Sequence, residues 1–194
     1  LRGLVGASGL ALAASRPTLG QAAQFGVTSP TTDDVLSLRL LLDLEHLAYA
    51  FYREAAHRLD EDAGNDVATS LDRLVLHRLR EHEGNHVGLL TALIVERDGP
   101  VASVPAYDFA YADEREFVQV AAQIENALVG TYVTILPTFN EPFLCRALAS
   151  LLAVEARHAA YVSGLSGDLS FPQAREGAAS RTASLLVVDR YRVN

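Results

Sequence analysis

Glu81-His82-Glu83-Gly84-Asn85-His86 and Glu155-Ala156-Arg157-His158 each set a glutamate three residues before a histidine. Both lie in long stretches whose apolar residues recur at helical spacing: Leu76, Leu79, Leu90 and Leu93 around the first, Leu148, Leu151, Leu152 and Val162 around the second. Residues three apart on a helix are separated by about 300°, so each Glu–His pair shares a face. Two further periodic stretches carry a single mid-helix glutamate on their apolar side. Glu45 lies in register with Leu38, Leu41, Leu42, Tyr49 and Tyr52, and Glu125 with Val118, Ala121, Ala122, Leu128, Val129 and Tyr132. Four carboxylates in one core are ruinous unless cations neutralise them. One Glu on each of two helices, with Glu-x-x-His on two others, is the donor set of a dinuclear carboxylate metal site in a four-helix bundle.

Depth agrees with angle. At about 1.5 Å per residue, Glu45 and Glu83 fall roughly 20 and 25 Å along their helices, and Glu125 and Glu155 roughly 15 to 20 Å along theirs. Each pair therefore meets near mid-bundle. The spacing alone is not specific, because Glu54-Ala55-Ala56-His57 repeats it. Glu54 lies nine residues beyond Glu45, about 180° round the helix, and points away. His77 fails the same test against His86. His46 and His82 are one position off a ligand face, which suits partly exposed residues or groups set behind the ligands. The competing reading pairs the carboxylates with arginines, yet Arg80 and Arg157 do not share the ligand face.

The 194-residue chain is 49% apolar and 21% charged, suited to one domain with a substantial core. A net charge of -8 and the lack of any basic stripe argue against a nucleic-acid partner. All 16 basic residues are arginine, which excludes Schiff-base chemistry on lysine. The lone Cys145 excludes an internal disulfide and a Cys-x-x-Cys electron-transfer module; it reads as a small buried hydrophobe.

Residues 1–14 (LRGLVGASGLALAA) form a small-residue apolar run, too short to span a bilayer as a helix. The run resembles the apolar region of a secretory signal, with an Ala-x-Ala site at residues 11–13, and its first residues resemble the tail of a twin-arginine signal. The expectation is export, either with processing or with the segment retained as an anchor or docking tail. Residues 1–32 then comprise this segment and a Pro/Gly/Ser/Thr-rich linker, 33–165 the bundle, and 166–194 a C-terminal extension.

Within 33–165 the pattern predicts four helices: Thr32 or Asp33 to about Leu59, Asp66 to Arg97 before Asp98-Gly99-Pro100, about Asp113 to Leu136, and Glu141-Pro142 to about Gly164. Asp60 to Asn65 reads as a short polar turn. Short turns make two antiparallel hairpins, and the longer link over 100–112, with two prolines and three aromatics, makes a crossover between helices 2 and 3. The apolar stretch Ala183 to Val188 predicts a strap across the bundle containing a short helix.

The residues Leu44-Glu45-His46-Leu47-Ala48-Tyr49-Ala50-Phe51-Tyr52, Glu81-His82-Glu83-Gly84-Asn85-His86, Gln123-Ile124-Glu125-Asn126-Ala127 and Glu155-Ala156-Arg157-His158 carry a family resemblance. Over about residues 33–165 the chain resembles the ferritin-like superfamily, most closely its exported desiccation- or stress-related branch. The resemblance implies an all-α, ferritin-like antiparallel four-helix bundle. It implies that Glu45 and His86 bind one metal ion, that Glu125 and His158 bind the other, and that Glu83 and Glu155 bridge them. Iron is the expected metal, with manganese or zinc compatible with the same donors. Tyr49, Tyr52, Tyr132 and Tyr161 lie within two turns of ligands; Tyr49 and Tyr52 are the foremost candidates for electron relay, against a competing role as core aromatics.

Two functional expectations follow. One is a di-iron oxidoreductase, ferroxidase- or peroxidase-like, whose partners are Fe(II), oxygen or peroxide and whose role is stress protection outside the cytoplasm. The other is a structural or interaction subunit, in a homo-oligomer or larger assembly joined through the N- and C-terminal segments, with a stabilising or vestigial metal site.

Overall fold

The computed structural model describes residues 32–61, 73–170 and 173–193. The signal-like run, most of the linker and the expected turn after Asp60, with the start of the second helix, lie outside the described residues. Four long helices make the bundle: α1 (Thr32–Glu61), α2 (Arg73–Val95), α3 (Glu114–Ile135) and α4 (Pro142–Ser166). A fifth, α5 (Arg181–Tyr191), follows. The only pairing of extended backbone among the described residues is an isolated bridge between Tyr107 and Arg192. The protein is an all-α bundle.

Local chemistry sets the ends. Asp113 caps α3 by accepting from the N–H of Glu116, whose carboxylate reaches back to the N–H of Ala112 at 2.8 Å. Pro137 turns the chain into a short 3-10 turn after Ile135. Pro142 starts α4, where its missing N–H costs nothing. Gly167 ends α4 with φ 87°, the left-handed conformation glycine adopts without penalty, and Asp168 N–H closes back on Ser163 O at 3.0 Å. Helix α2 stops at Val95, two residues earlier than its sequence predicts, because Arg97, Asp98 and Gly99 fold into a turn. A side chain at Gly99 would collide with Val35 and Ile94.

Helices α1 and α2 form one hairpin and α3 and α4 the other, joined mainly through α1 against α3. The crossover supplies aromatic packing. Phe109 and Tyr111 meet Phe51 edge-on, and Phe51 stacks on Phe117 at 4.8 Å. The end of α2 is tied to the start of α4 by the buried Arg97, which donates to Glu141 and to Leu93 O.

The C-terminal strap is built into the same core. Helix α5 lies across α1 and α3, burying Ser184, Val188 and Tyr191. Gly130 lets it approach: a Cβ there would stand 2.9 Å from the Cβ of Ala179, whose N–H donates to Gly130 O. Thr131 and Ser184 share a buried hydroxyl contact of 2.7 Å. Beyond α5, Val193 N–H donates to Ala106 O and Asp108 N–H to Tyr191 O, both at 2.9 Å, clasping the crossover.

Candidate metal centre

Each of the four bundle helices turns its expected ligands inward at mid-length. Glu45, Glu83, Glu125 and Glu155 are fully buried, and His86 and His158 retain 6% and 7% of their surface. The two histidines are thus the members of the cluster nearest water, and both stand where α2 faces α4. Both direct Nδ1 into the cluster. His86 Nδ1 lies 2.6 Å from Glu155, 3.4 Å from Glu45 and 3.5 Å from Glu83. His158 Nδ1 lies 2.9 Å from Glu83, 3.5 Å from Glu155 and 3.8 Å from Glu125. These donors fall into two overlapping groups, Glu45, Glu83, His86 and Glu155, and Glu83, Glu125, Glu155 and His158. Within each group one donor atom per residue lies within 4.8 Å of all the others. The shared members are Glu83 and Glu155, which stand between the two positions.

The outer carboxylate oxygens are satisfied and the inner ones are not. Tyr52 of α1 donates to Oε1 of Glu125 at 2.5 Å, and Tyr132 of α3 donates to Oε1 of Glu45 at 2.6 Å. That leaves Oε2 of both glutamates, both oxygens of Glu83 and Glu155, and Nδ1 of both histidines without a hydrogen-bond partner. The imidazoles and carboxylates approach one another as ion pairs, at 2.6 to 3.8 Å, rather than as hydrogen-bonded partners. Polar atoms buried this way carry a heavy desolvation cost, and convergence on shared cations removes it. Among the described residues no arginine pairs with any of the six; the buried Arg97 is committed to Glu141.

Without metal, protons and imidazolium must balance the charge. Burial pulls His86 down, but Glu155, Glu45 and Glu83 around it push it up to about 12. Burial likewise opposes charge on His158, and Glu155 and Glu83 raise it to about 9. Glu83 is held at about 2, because His158 and His86 overcome its burial. Burial, then the charge of Glu155, raises Glu45 well above the usual carboxylate range; burial, then Glu83, does the same to Glu125. Tyr52 and Tyr132 are raised by burial and by the carboxylates they touch, so both phenols stay protonated donors. Divalent cations at the centre would displace these protons, and a set of four carboxylates with two imidazoles suits iron, manganese or zinc.

The tyrosines divide in two. Tyr52 sits on Glu125. Tyr49 does not: its ring lies against Gly84 and under Arg53, 5.7 Å from the guanidinium carbon, and it makes no hydrogen bond to the six. Tyr161 is exposed, while Tyr132 is fully buried on Glu45. The signal marking the two tyrosines that touch the cluster is a seven-residue spacing repeated in both hairpins, Glu45 to Tyr52 and Glu125 to Tyr132. Glu54 and His57 lie away from the centre, with Glu54 paired to Arg58. His46 is half-buried and lines a groove with Tyr49 and Tyr107. His82, one position off the ligand face, reaches behind His158.

A family model for the ferritin-like domain matches residues 33–168. No curated protein is significantly similar to the chain. The match spans all four bundle helices and every one of the six convergent side chains. The chain belongs to the ferritin-like domain family.

Proposed function

We propose that the chain is a dinuclear metal protein that oxidises Fe(II), or reduces dioxygen or peroxide, as a protective activity outside the cytoplasm. The observation that carries the metal reading is the set of orphaned atoms: among the described residues, nine buried side-chain polar atoms lack a partner, and all but Arg97 Nε belong to the six clustered residues. A site kept only as a vestige, or as structural filler, has no reason to hold so many unpaired donors in a dry core.

Glu45 and His86 would hold one ion, Glu125 and His158 the other, with Glu83 and Glu155 shared between them. When bound, two iron ions would supply paired one-electron chemistry and open positions for oxygen or peroxide. The chain's own part is positioning. Tyr52 and Tyr132 occupy the outer oxygens of Glu125 and Glu45 and so aim the inner ones at the centre. Leu41, Leu44, Leu128 and Leu148, all fully buried, contribute to a dry surround for the charge. In the overall reaction Fe(II) loses electrons, dioxygen or peroxide gains them, and solvent protons complete the water formed.

Export rests on the signal-like sequence of residues 1–14, and the stress-related role on the resemblance over residues 33–165. Among the described residues no helix is long and apolar enough to cross a membrane.

The test is anaerobic titration with Fe(II), followed by air. Two ions per chain, a ferric absorption band and oxygen consumption are expected. Two bound ions without either signal would remove the redox activity and keep the metal centre. Failure to bind any divalent ion would remove both. Fractionation of the native cells, followed with an antibody to the bundle, tests export.

A further inference from the structure

The two metal positions differ, and the difference lies behind the ligands. His158 turns Nδ1 into the cluster, and its other nitrogen, Nε2, stands 3.0 Å from Nδ1 of His82. The rings are nearly coplanar, tilted by 13° with centroids 5.3 Å apart. That is the geometry of two imidazoles joined edge to edge through an N–H···N bond, not of two rings in face contact. His82 itself is exposed on α2.

The direction of the bond follows from the ligand role. A ring whose Nδ1 gives its lone pair to a cation carries its proton on Nε2. Nε2–H of His158 is then the donor and Nδ1 of His82 the acceptor, which leaves the His82 proton on its own Nε2. The other hairpin lacks the equivalent group. His82 precedes Glu83 on α2; the residue that precedes Glu155 on α4 is Val154, which has no acceptor to offer. Among the described residues nothing stands behind His86 as His82 stands behind His158.

We infer that His82 is a positioning residue for His158. By accepting from Nε2–H it fixes the tautomer and the ring plane, and makes the position held by Glu125 and His158 the tighter of the two. The inference rests on the dinuclear reading above. A hydrogen-bond acceptor behind a metal-ligating histidine raises its basicity, and loss of such a partner costs about 10- to 100-fold in metal affinity. The two ions would therefore enter in order, the His158 position filling first.

The experiment is an anaerobic Co(II) titration followed by the visible bands of the ion, on the native chain and on His82→Leu and His82→Gln. The native chain should bind two ions with separable affinities. His82→Leu should weaken the tighter one by about 10- to 100-fold and leave the other unchanged. His82→Gln, whose amide oxygen can accept from His158, should restore most of the loss. In a His158→Ala background His82→Leu should change nothing further, the non-additivity expected of a coupled pair.

A nitrogen-resolved NMR spectrum of the native, Zn(II)-loaded chain gives a second readout that needs no variant. The His158 ring should carry a slowly exchanging proton on Nε2. Two ions bound with affinities indifferent to His82, or a His158 proton on Nδ1, overturns the inference and leaves the dinuclear centre standing. A native chain that binds no Co(II) overturns both.

Discussion

Tyr132 on α3 donates its hydroxyl hydrogen to Glu45 on α1 at 2.6 Å, and Tyr52 on α1 makes the reciprocal contact with Glu125 on α3. Each hairpin thereby steadies a clustered glutamate of the other. Replacing either tyrosine with phenylalanine removes a buried bond to a carboxylate and leaves its acceptor unpaired. The expected cost is about 1–3 kcal/mol per site in chemical denaturation. Metal affinity should fall as well, because the freed carboxylate can rotate. Unchanged affinity in both variants would show that core packing alone aims Glu45 and Glu125.

Metal-free protein should lose stability as the pH rises above neutrality. His158 is raised from 6.5 to about 9, so its contribution is complete below pH 6.5 and disappears as the pH climbs through about 9. His86, at about 12, gives up its share only beyond that window. Glu45 and Glu125 are shifted upward too and act in the same sense. Metal-loaded protein should behave oppositely, since ligation requires deprotonated donors and tightens with pH. Melting temperatures from pH 6 to 9, with and without chelator, check both slopes.

The third Glu-x-x-His is a built-in control. Glu54→Gln should leave metal stoichiometry at the native value and stability within about 0.5 kcal/mol, as for surface changes generally. Glu83→Gln should lower the stoichiometry, because Glu83 belongs to both donor groups. Equal losses in the two variants would contradict the assignment of faces.

Gly130→Ala should loosen the strap. The added methyl would meet Ala179 at 2.9 Å, with Ala179 N only 3.2 Å away, so backbone has to move. Overpacking of this kind costs about 1–3 kcal/mol, against a gain of about 1 kcal/mol in helix propensity. A net loss of about 1 kcal/mol is expected, with faster proteolysis between residues 173 and 180. A more stable variant would mean that α5 adapts freely.

The four bundle helices and their inward glutamates were legible in sequence because the helical repeat fixes which side chains share a face, and buried charge is too costly to be accidental. The partners of those glutamates were not. Tyr49 and Tyr52 both lie near the face of Glu45, about 40° to one side and about 20° to the other. Only the packing of neighbouring helices sends the first toward Gly84 and the second across to α3. Likewise Gly130 reads as an ordinary weak spot in a helix until Ala179 is found against it. His82 lay one position off the ligand face, and its bond to His158 depends on how α2 and α4 are set opposite each other. Distances between helices are not written in any single helix.

The hairpins touch along α1 and α3 through packed apolar side chains and the two reciprocal tyrosine–glutamate bonds, whereas α2 and α4 are bridged by His86 with Glu155, His158 with Glu83, and His82 with His158. The bundle resembles a book, with a closely packed spine along α1 and α3 and a page edge fastened by charge. Stripping the cations would leave only those pairs and the Arg97–Glu141 tie across that edge, so the halves should breathe more along α2 and α4 than along α1 and α3. Amide exchange would then quicken in those two helices first, the behaviour of a centre that rivets one hairpin to the other.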